Sequence, residues 1–186
     1  MLISYLHNYI YIRPKKTGST TIVDVLSASF GSEDLMGGHF GKSKMEENRE
    51  HVPTKYEAHL DAKEISALTT PEFWTSAFKF ASERHPYEKA VSLAYYNLNK
   101  PKNRHIQSDE EIADTIDRTV KKGKYRGYDM YPIDGKVVVD DFIRHENLDA
   151  DLRRICARLG VPVPAELPRK KSNARKDPRP AKAILS

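Results

Sequence analysis

Segments with the residue pattern of β-strands alternate along this chain with segments that have the pattern of α-helices. Residues 9–13 (YIYIR), 78–83 (FKFASE) and 136–143 (KVVVDDFI) are rich in β-branched and aromatic side chains, as strands are. Residues 20–30 follow the first strand with apolar side chains at helical spacing. Strands that alternate with helices usually build a parallel sheet covered by helices. The alternation therefore predicts an α/β fold with a central parallel sheet.

Capping residues mark the ends of several predicted helices. Asp61 with Glu64, and Ser108 with Glu111, have the spacing of a capping box, which begins a helix. Gly160 is a typical residue for the end of the last long helix.

Length, cysteine content and the lack of long apolar runs exclude several classes of protein. A chain of 186 residues corresponds to about one domain. The single cysteine, Cys156, excludes an internal disulfide framework and a multi-cysteine zinc site. No run approaches the ~18 apolar residues of a membrane helix, so we expect no stable membrane insertion, and Met1 to Ile12 makes a poor signal peptide.

The net charge of +5 belongs to one end of the chain. Residues 169–186 contain seven basic residues and one acid, which leaves residues 1–168 at −1. We therefore expect an α/β domain at 1–168 and a basic C-terminal segment at 169–186. That segment is either a disordered, solvated tail or part of a site for an anionic ligand. The disordered interpretation is favoured for residues 177–186.

The turn at residues 13–21 (RPKKTGSTT) carries the most functional information. It lies where the first strand gives way to the first helix, which is the carboxyl end of a strand, where ligands usually bind in α/β sheets. Gly18 permits a tight turn, the start of the helix offers free N–H groups, and hydroxyls and lysines add donors. This combination predicts an anion-binding turn. It is not a Walker A loop, because the spacing of that motif is absent.

A second cationic group follows the second strand. Arg84 comes directly after residues 78–83, and Ser92 follows eight residues later on a predicted helix. Adjacent parallel strands would aim Lys16 and Arg84 at one crevice, which would suit a ligand with two separated anionic groups.

These segments resemble the motifs of the PAPS-dependent sulfotransferases, in particular the carbohydrate (heparan-sulfate-type) and related bacterial enzymes. Residues 14–20 (PKKTGST) resemble the loop that binds the 5′-phosphosulfate of PAPS (3′-phosphoadenosine 5′-phosphosulfate). Residues 84–92 (RHPYEKAVS) resemble the motif for the 3′-phosphate, although Lys89 stands where an arginine is usual. Residues 140–148 and 167–172 resemble the late strand–helix signature and a C-terminal loop that closes over the nucleotide.

The resemblance implies a P-loop-like three-layer domain, with helices flanking the central parallel sheet, and an enzyme that transfers a sulfuryl group from PAPS to a hydroxyl of a carbohydrate or glycolipid acceptor. It implies no metal and no nucleic-acid partner. Lys16 would stabilise charge on the leaving phosphate, although the sequence does not decide between Lys15 and Lys16 for contact with the sulfate. The implied nucleotide-binding residues are Lys15, Thr17, Gly18, Ser19, Thr20, Thr21, Arg84, Ser92, Lys170, Lys171, Ser172 and Arg175.

The acceptor hydroxyl needs a general base, and histidine is the natural choice near neutral pH. His59 resembles a histidine that serves as base in some carbohydrate sulfotransferases, and it precedes the helix that Asp61 caps. His39 and Glu57 are the alternatives.

Two other functions stay open. One is a P-loop-like small-molecule kinase that uses ATP, and the other is a non-enzymatic polyanion-binding module built on the basic C-terminal segment. The sulfotransferase interpretation, together with the lack of a signal or anchor segment, leads us to expect a cytoplasmic bacterial enzyme.

Overall fold

The structure is a computed structural model that describes residues 1–38, 56–100, 108–123, 125–168 and 179–185. Its strands are β1 (Leu2–Ser4), β2 (Tyr9–Ile12), β3 (Leu35–Met36), β4 (Phe78–Glu83), β5 (Pro132–Ile133), β6 (Lys136–Val137) and β7 (Asp141–Arg144). Its α-helices are α1 (Ser19–Ser27), α2 (Ala62–Ser66), α3 (Pro71–Ser76), α4 (Pro86–Leu98), α5 (Asp109–Lys121), α6 (Leu148–Leu159) and α7 (Ala181–Leu185). The described residues form two compact units, Met1–Glu83 with Gly127–Pro168, and Arg84–Arg126 with the C-terminal residues.

The first unit contains a five-stranded mixed sheet in the order β3-β1-β2-β4-β7. Strands β2, β4 and β7 are parallel to one another, as predicted. The prediction of a wholly parallel sheet is wrong at one edge, because β1 runs antiparallel to both β2 and β3. The α/β class is confirmed.

A distant side chain explains why this antiparallel edge was missed. Strands β1 and β2 are joined by a short turn that includes Asn8, whose φ is 51°. The carboxylate of Asp34 accepts hydrogen bonds from Ser4 Oγ (2.8 Å) and from the N–H groups of Tyr5 (2.6 Å), Leu6 (3.2 Å) and Gly31 (2.9 Å). A partner almost thirty residues away stabilises the turn, and a local pattern cannot reveal such a partner.

The third predicted strand, 136–143, is divided into two. Asp134 and Gly135 both have positive φ values, 49° and 77°, and they close a β5–β6 hairpin. Strand β7 then starts at Asp141 and pairs with β4. The prediction of one continuous strand is therefore wrong, because an Asp-Gly turn directs the chain into a local hairpin first.

Helices cover both faces of the sheet in the first unit. Tyr9, Tyr11 and Phe80 point to one face, where α1 and α6 supply apolar side chains that include Ile22 and Ile155. The side chains at alternate positions point to the other face. There Ile10, Ile12 and Ala81 pack against Ile65 of α2 and Trp74 of α3. Each buried large side chain stabilises such a core by roughly 1.5–3 kcal/mol, so the two apolar layers hold the parallel strand ends in place.

Most predicted helix boundaries are confirmed. Both capping boxes are formed, at Asp61 with Glu64 and at Ser108 with Glu111. Gly160 ends α6 in the left-handed conformation, with a φ of 66°. The first helix is shorter than predicted and ends at Ser27.

The second unit packs α4 against α5 and α7. Val91, Tyr95 and Leu98 of α4 form a small core with Ala181, which is buried. The N–H of Ala181 donates to Glu88 Oε1 at 2.6 Å. The expectation of a disordered tail is therefore wrong for residues 181–185, whereas residues 169–178 lie outside the described part of the chain. Across the described ranges, no helix has the length and apolar character needed to cross a membrane.

A buried carboxylate stabilises the junction between β7 and α6. Asp151 is 2% exposed. It accepts hydrogen bonds from the backbone N (2.9 Å), Nε (2.8 Å) and Nη2 (2.9 Å) of Arg144, and one from Asn147 Nδ2 (3.2 Å). The bonds from Arg144 hold the pKa of Asp151 well below its usual range. The stability that this carboxylate contributes is therefore present above the pKa of an unfolded aspartate and is lost as the pH falls.

Asp151→Asn tests this junction. We expect the free energy of unfolding at pH 7 to fall by about 2 kcal/mol, because a hydrogen bond to a charged group contributes about 1.5–3 kcal/mol. Asp149→Asn is the matched control. It removes a carboxylate from the same first turn whose bonds to Arg153 are exposed, and it should cost less than ~1 kcal/mol. Urea unfolding measures both values, and equal losses would contradict this account.

Candidate functional site

The turn between β2 and α1 has a strained backbone conformation. Lys16 has a φ of 64° and Gly18 a φ of 76°. A left-handed conformation costs a residue other than glycine roughly 1–2 kcal/mol, so Lys16 is held there by its surroundings. Strain of this kind clusters at functional sites.

Helix α1 begins directly after this turn without a side-chain cap. Gly18 is its N-cap, and no side chain accepts a hydrogen bond there. The carbonyl of Gly18 accepts from the N–H groups of Thr21 (3.1 Å) and Ile22 (3.5 Å). The N–H groups of the first helical residues have no acceptor within the helix. A positive helix end that follows a left-handed turn is an anion-binding geometry, as the sequence predicts.

The late strand–helix signature packs beside this turn. A Cβ atom added to Gly18 would lie 3.3 Å from Leu148 Cδ2, which belongs to the first turn of α6. Space and φ both favour glycine at this position. The first unit thus brings together two of the four motifs on which the resemblance rests.

A series of hydrogen bonds between buried hydroxyl groups connects the turn to β2 and β4. Ser82 Oγ of β4 lies 2.6 Å from Tyr11 Oη and 2.6 Å from Thr17 Oγ1. The Thr17 hydroxyl donates to the carbonyl of Pro14 at 3.1 Å. Because that proton is used, Ser82 donates to Thr17 and Tyr11 donates to Ser82. The Thr17 hydroxyl therefore holds the turn in place rather than pointing a proton at a ligand, which leaves its N–H for the predicted anion.

The other predicted hydroxyls differ in their availability. Ser19 Oγ accepts from Arg13 Nε at 3.1 Å, so its own proton remains available for an anion. Thr21 Oγ1 donates to the carbonyl of Pro168 at 2.9 Å, which fixes the end of the described segment 125–168 beside α1. Thr20 is partly exposed at the start of the helix. Ser19 and Thr20 are thus the hydroxyls best placed to bind an anion.

The two lysines of the turn lie in different environments. Lys15 is exposed, whereas Lys16 is partly buried in its left-handed conformation. The charge of Lys15 acts on His59 and helps to lower its pKa. The choice between the two lysines for the sulfate stays a prediction.

His59 is anchored to the same strand end. Its Nδ1 atom lies 2.8 Å from the carbonyl oxygen of Arg13. A carbonyl only accepts, so Nδ1 carries the proton and the neutral ring has its lone pair on Nε2. Burial, together with the charges of Arg13 and Lys15, lowers the pKa of His59 to about 4, although the hydrogen bond to the Arg13 carbonyl acts in the opposite direction. At neutral pH the ring is an uncharged acceptor, which is the form that a general base requires.

Two glycines bring the segment before His59 close to the sheet. The N–H of Gly38 donates to the carbonyl of Tyr56 at 2.8 Å. A Cβ atom at Gly37 would lie 2.2 Å from the carbonyl oxygen of Glu57, which no side chain allows. Of the alternatives for the base, Glu57 is exposed and His39 lies outside the described residues.

Two residues of the predicted 3′-phosphate motif belong to the second unit. Arg84 precedes α4, and its Nη2 lies 3.4 Å from Glu88 Oε2. Ser92 lies partly buried on α4, and Lys89 is 1% exposed. The convergence of Arg84 with Lys16 on one ligand stays a prediction. Lys170, Lys171, Ser172 and Arg175 lie outside the described residues.

Sequence reasoning missed Arg13 and Ser82 as residues of the site. The alternation of β2 contained the signal for Arg13, because Tyr9, Tyr11 and Arg13 share one strand parity and the two tyrosines are buried. No local pattern could show Ser82, because its partners lie 71 and 65 residues away.

In the ranges that the structure describes, no group of three or more His, Cys, Asp or Glu residues could hold a metal ion. A scan against protein-family models, a search of curated proteins and a search of solved structures each found no match for the chain.

Gly18→Ala tests the anion-binding turn. We expect it to destabilise the fold by about 2 kcal/mol, because it adds left-handed strain of roughly 1–2 kcal/mol and a close contact with Leu148. We also expect phosphate binding to fall at least tenfold.

Gly135→Ala is the matched control for that variant. Gly135 has nearly the same φ, 77°, and a Cβ there would meet nothing within 4 Å. It should show the strain alone and leave phosphate binding unchanged. Thermal unfolding and isothermal titration with inorganic phosphate measure the two effects. Equal phosphate affinity in both variants would exclude the turn as the anion site.

Proposed function

We propose that the chain is a PAPS-dependent sulfotransferase that acts on a hydroxyl of a carbohydrate-type acceptor. One observation carries the proposal: the carboxyl end of β2, at Arg13, supports both an uncapped anion-binding turn and a histidine with a free Nε2 lone pair. Sulfuryl transfer requires a group that binds the anionic donor and a group that accepts the hydroxyl proton, and this strand end offers a candidate for each. The order of the four sequence motifs supports the same conclusion, and a P-loop-like three-layer domain is the fold that it implies.

The reaction needs in-line attack on sulfur and stabilisation of an anionic leaving group. The acceptor oxygen forms a bond to sulfur while the bond from sulfur to the 5′-phosphate oxygen breaks. The electron pair of the broken bond leaves with the phosphate, and the hydroxyl proton passes to His59 Nε2. Positioning and electrostatic stabilisation supply most of the rate in such a transfer, and the chain offers cationic groups and N–H donors for both.

The predicted binding residues would contact different parts of the nucleotide. Backbone N–H groups from Thr17 to Thr20, with the hydroxyls of Ser19 and Thr20, would hold the 5′-phosphate. Lys16 would stabilise charge on the leaving oxygen and the moving sulfuryl group. Arg84 and Ser92 would hold the 3′-phosphate through charge-assisted hydrogen bonds. Lys170, Lys171, Ser172 and Arg175 would belong to a loop that closes over the nucleotide, as the resemblance implies.

The charge around His59 links base strength to nucleotide binding. Burial first, and then the charges of Arg13 and Lys15, lower the pKa of His59, so His59 is a weak base in the absence of nucleotide. The negative charge of a bound nucleotide would offset part of this field and raise the pKa towards the working pH. A base whose pKa lies nearer the working pH is more effective.

A kinase that uses ATP is the second candidate. The same anion-binding turn would suit it, but the turn lacks Walker A spacing. A polyanion-binding module is the third, and its basic segment at 169–178 lies outside the described residues. Removal of residues 169–186 would abolish polyanion binding under that interpretation and leave PAP (the desulfated product of PAPS) affinity unchanged.

Nucleotide preference tests the proposal directly. PAP should raise the melting temperature in the absence of magnesium, because ligand that binds only the folded state stabilises it, and ATP should raise it less. A clear preference for Mg-ATP would contradict the sulfotransferase function. Lys16→Ala should reduce the shift with PAP more than Lys15→Ala does, and the reverse result would assign the contact to Lys15.

His59→Ala tests the base. We expect turnover of PAPS with a glycan acceptor to fall by about 10²–10⁴-fold, the usual contribution of a general base, with PAP affinity nearly unchanged. In the wild type, kcat/KM should fall only as the pH drops towards 4, since the pKa of His59 in the free protein is about 4.

Glu57→Ala is the control for that variant, because it removes a neighbouring side chain that is exposed. Steady-state kinetics with radiolabelled PAPS over a panel of glycans gives the rates, and calorimetry gives the PAP affinity. Unchanged turnover in His59→Ala would remove His59 from the role, and loss of turnover in Glu57→Ala would transfer it to that carboxylate.

A further inference from the structure

Arg13 is a buried cation at the junction of the site's two halves. It follows the last residue of β2, and it is 8% exposed. Its guanidinium lies on the strand face that carries Tyr11, against the start of α1. The sequence places Arg13 at the start of the turn at residues 13–21 but assigns it no role.

The side chain of Arg13 contacts the anion-binding turn. Its Nε donates to Ser19 Oγ at 3.1 Å, in a buried bond. Ser19 is the first residue of α1, directly after the left-handed Gly18. A hydroxyl that accepts from a guanidinium has its proton directed elsewhere, and linked hydrogen bonds strengthen one another. The bond therefore prepares Ser19 to donate to an anion.

The backbone of Arg13 contacts the proposed base. Its carbonyl oxygen lies 2.8 Å from His59 Nδ1, which fixes the tautomer and orientation of the ring. The same residue thus touches one member of the anion site and one member of the proton-accepting site. Both contacts are made by one residue, and the residue that follows it, Pro14, has a φ that is fixed by its ring.

Burial of this charge has an energetic cost. Desolvation lowers the pKa of Arg13, while the charge of Asp24 on α1 favours the protonated form. A well-packed apolar side chain is often as stable as a buried ion pair or more so. Packing alone therefore gives no reason for a guanidinium at this position, whereas hydrogen bonding to Ser19 does.

We infer that Arg13 is a positioning residue that couples the nucleotide site to the base: its guanidinium holds Ser19 as a donor to the 5′-phosphate, and its carbonyl holds His59 as a neutral acceptor. This inference rests on the proposed function for the identity of the ligand. The coupling itself follows from the two hydrogen bonds.

A double-mutant cycle of Arg13→Met with Ser19→Ala tests the first half. We expect Arg13→Met to weaken PAP binding about tenfold, as loss of a charged hydrogen bond implies. In the Ser19→Ala background the same change should weaken binding about threefold or less, the remainder reflecting lost charge. Equal tenfold losses in both backgrounds would overturn the action through Ser19.

The titration of His59 tests the second half and needs no ligand. Nitrogen NMR should show Nδ1 protonated in the wild type, with the pKa of the ring near 4. Arg13→Met should raise this pKa, since a repelling charge is lost. Arg13→Lys keeps the charge but lacks the planar fork of donors, so it should leave the pKa near the wild-type value and still weaken PAP binding. A proton on Nε2 in the wild type, or an unchanged pKa in Arg13→Met, would overturn the inference.

Further measurements distinguish a failure of this inference from misfolding of a variant and from a wrong assignment of the ligand. Circular dichroism and the melting temperature show whether each variant folds. If Arg13→Met does not fold, Arg13→Lys carries the binding test and the position of the ring proton of His59 in the wild type carries the second test. If the wild type bound inorganic phosphate but not PAP, the nucleotide assignment would fail, and the cycle with phosphate would still decide the coupling. A wild type that bound neither probe would overturn both proposals.

Discussion

The buried hydrogen bonds from Tyr11 through Ser82 to Thr17 are the constraint on which the rest of the site depends. They join β2, β4 and the turn between β2 and α1. The hydroxyl protons of Tyr11, Ser82 and Thr17 are all donated within this series of hydrogen bonds. Burial raises the pKa of Tyr11 far above its usual value, so the phenol keeps its proton. With Thr17 fixed in this way, the backbone on both sides adopts left-handed conformations and leaves the first N–H groups of α1 uncapped.

Much of the fold could be predicted from the sequence because its signals are local. The period of the residues around Tyr9 and Phe80 specifies strands, and the box formed by Asp61 and Glu64 marks a helix start. The antiparallel edge was not predictable, since Asp34 stabilises it from a distance. The hairpin at Asp134 and Gly135 was readable in principle, but a continuous apolar run concealed it.

The same contrast between local and distant signals applies to the candidate site. The sequence singled out Gly18, Ser19 and His59 because each belongs to a short motif with a chemical meaning. Their physical states were not readable: nothing local shows that the hydroxyl of Thr17 points inward, or that His59 donates from Nδ1. Arg13 was overlooked because an arginine after a strand is usually a surface residue, and its burial results from packing against α1.

The bond between Gly38 and Tyr56 has a consequence for how this protein can change. It holds the two ends of segment 39–55 together, two residues after the end of β3 and three residues before His59. For a closed loop, each doubling of length costs only about 0.6 kcal/mol. Insertions, deletions and new side chains within the segment can therefore accumulate while the histidine keeps its position. Under the proposed function, a part that can diversify, and with it the choice of acceptor, is thereby separated from a part that must stay the same for transfer to occur.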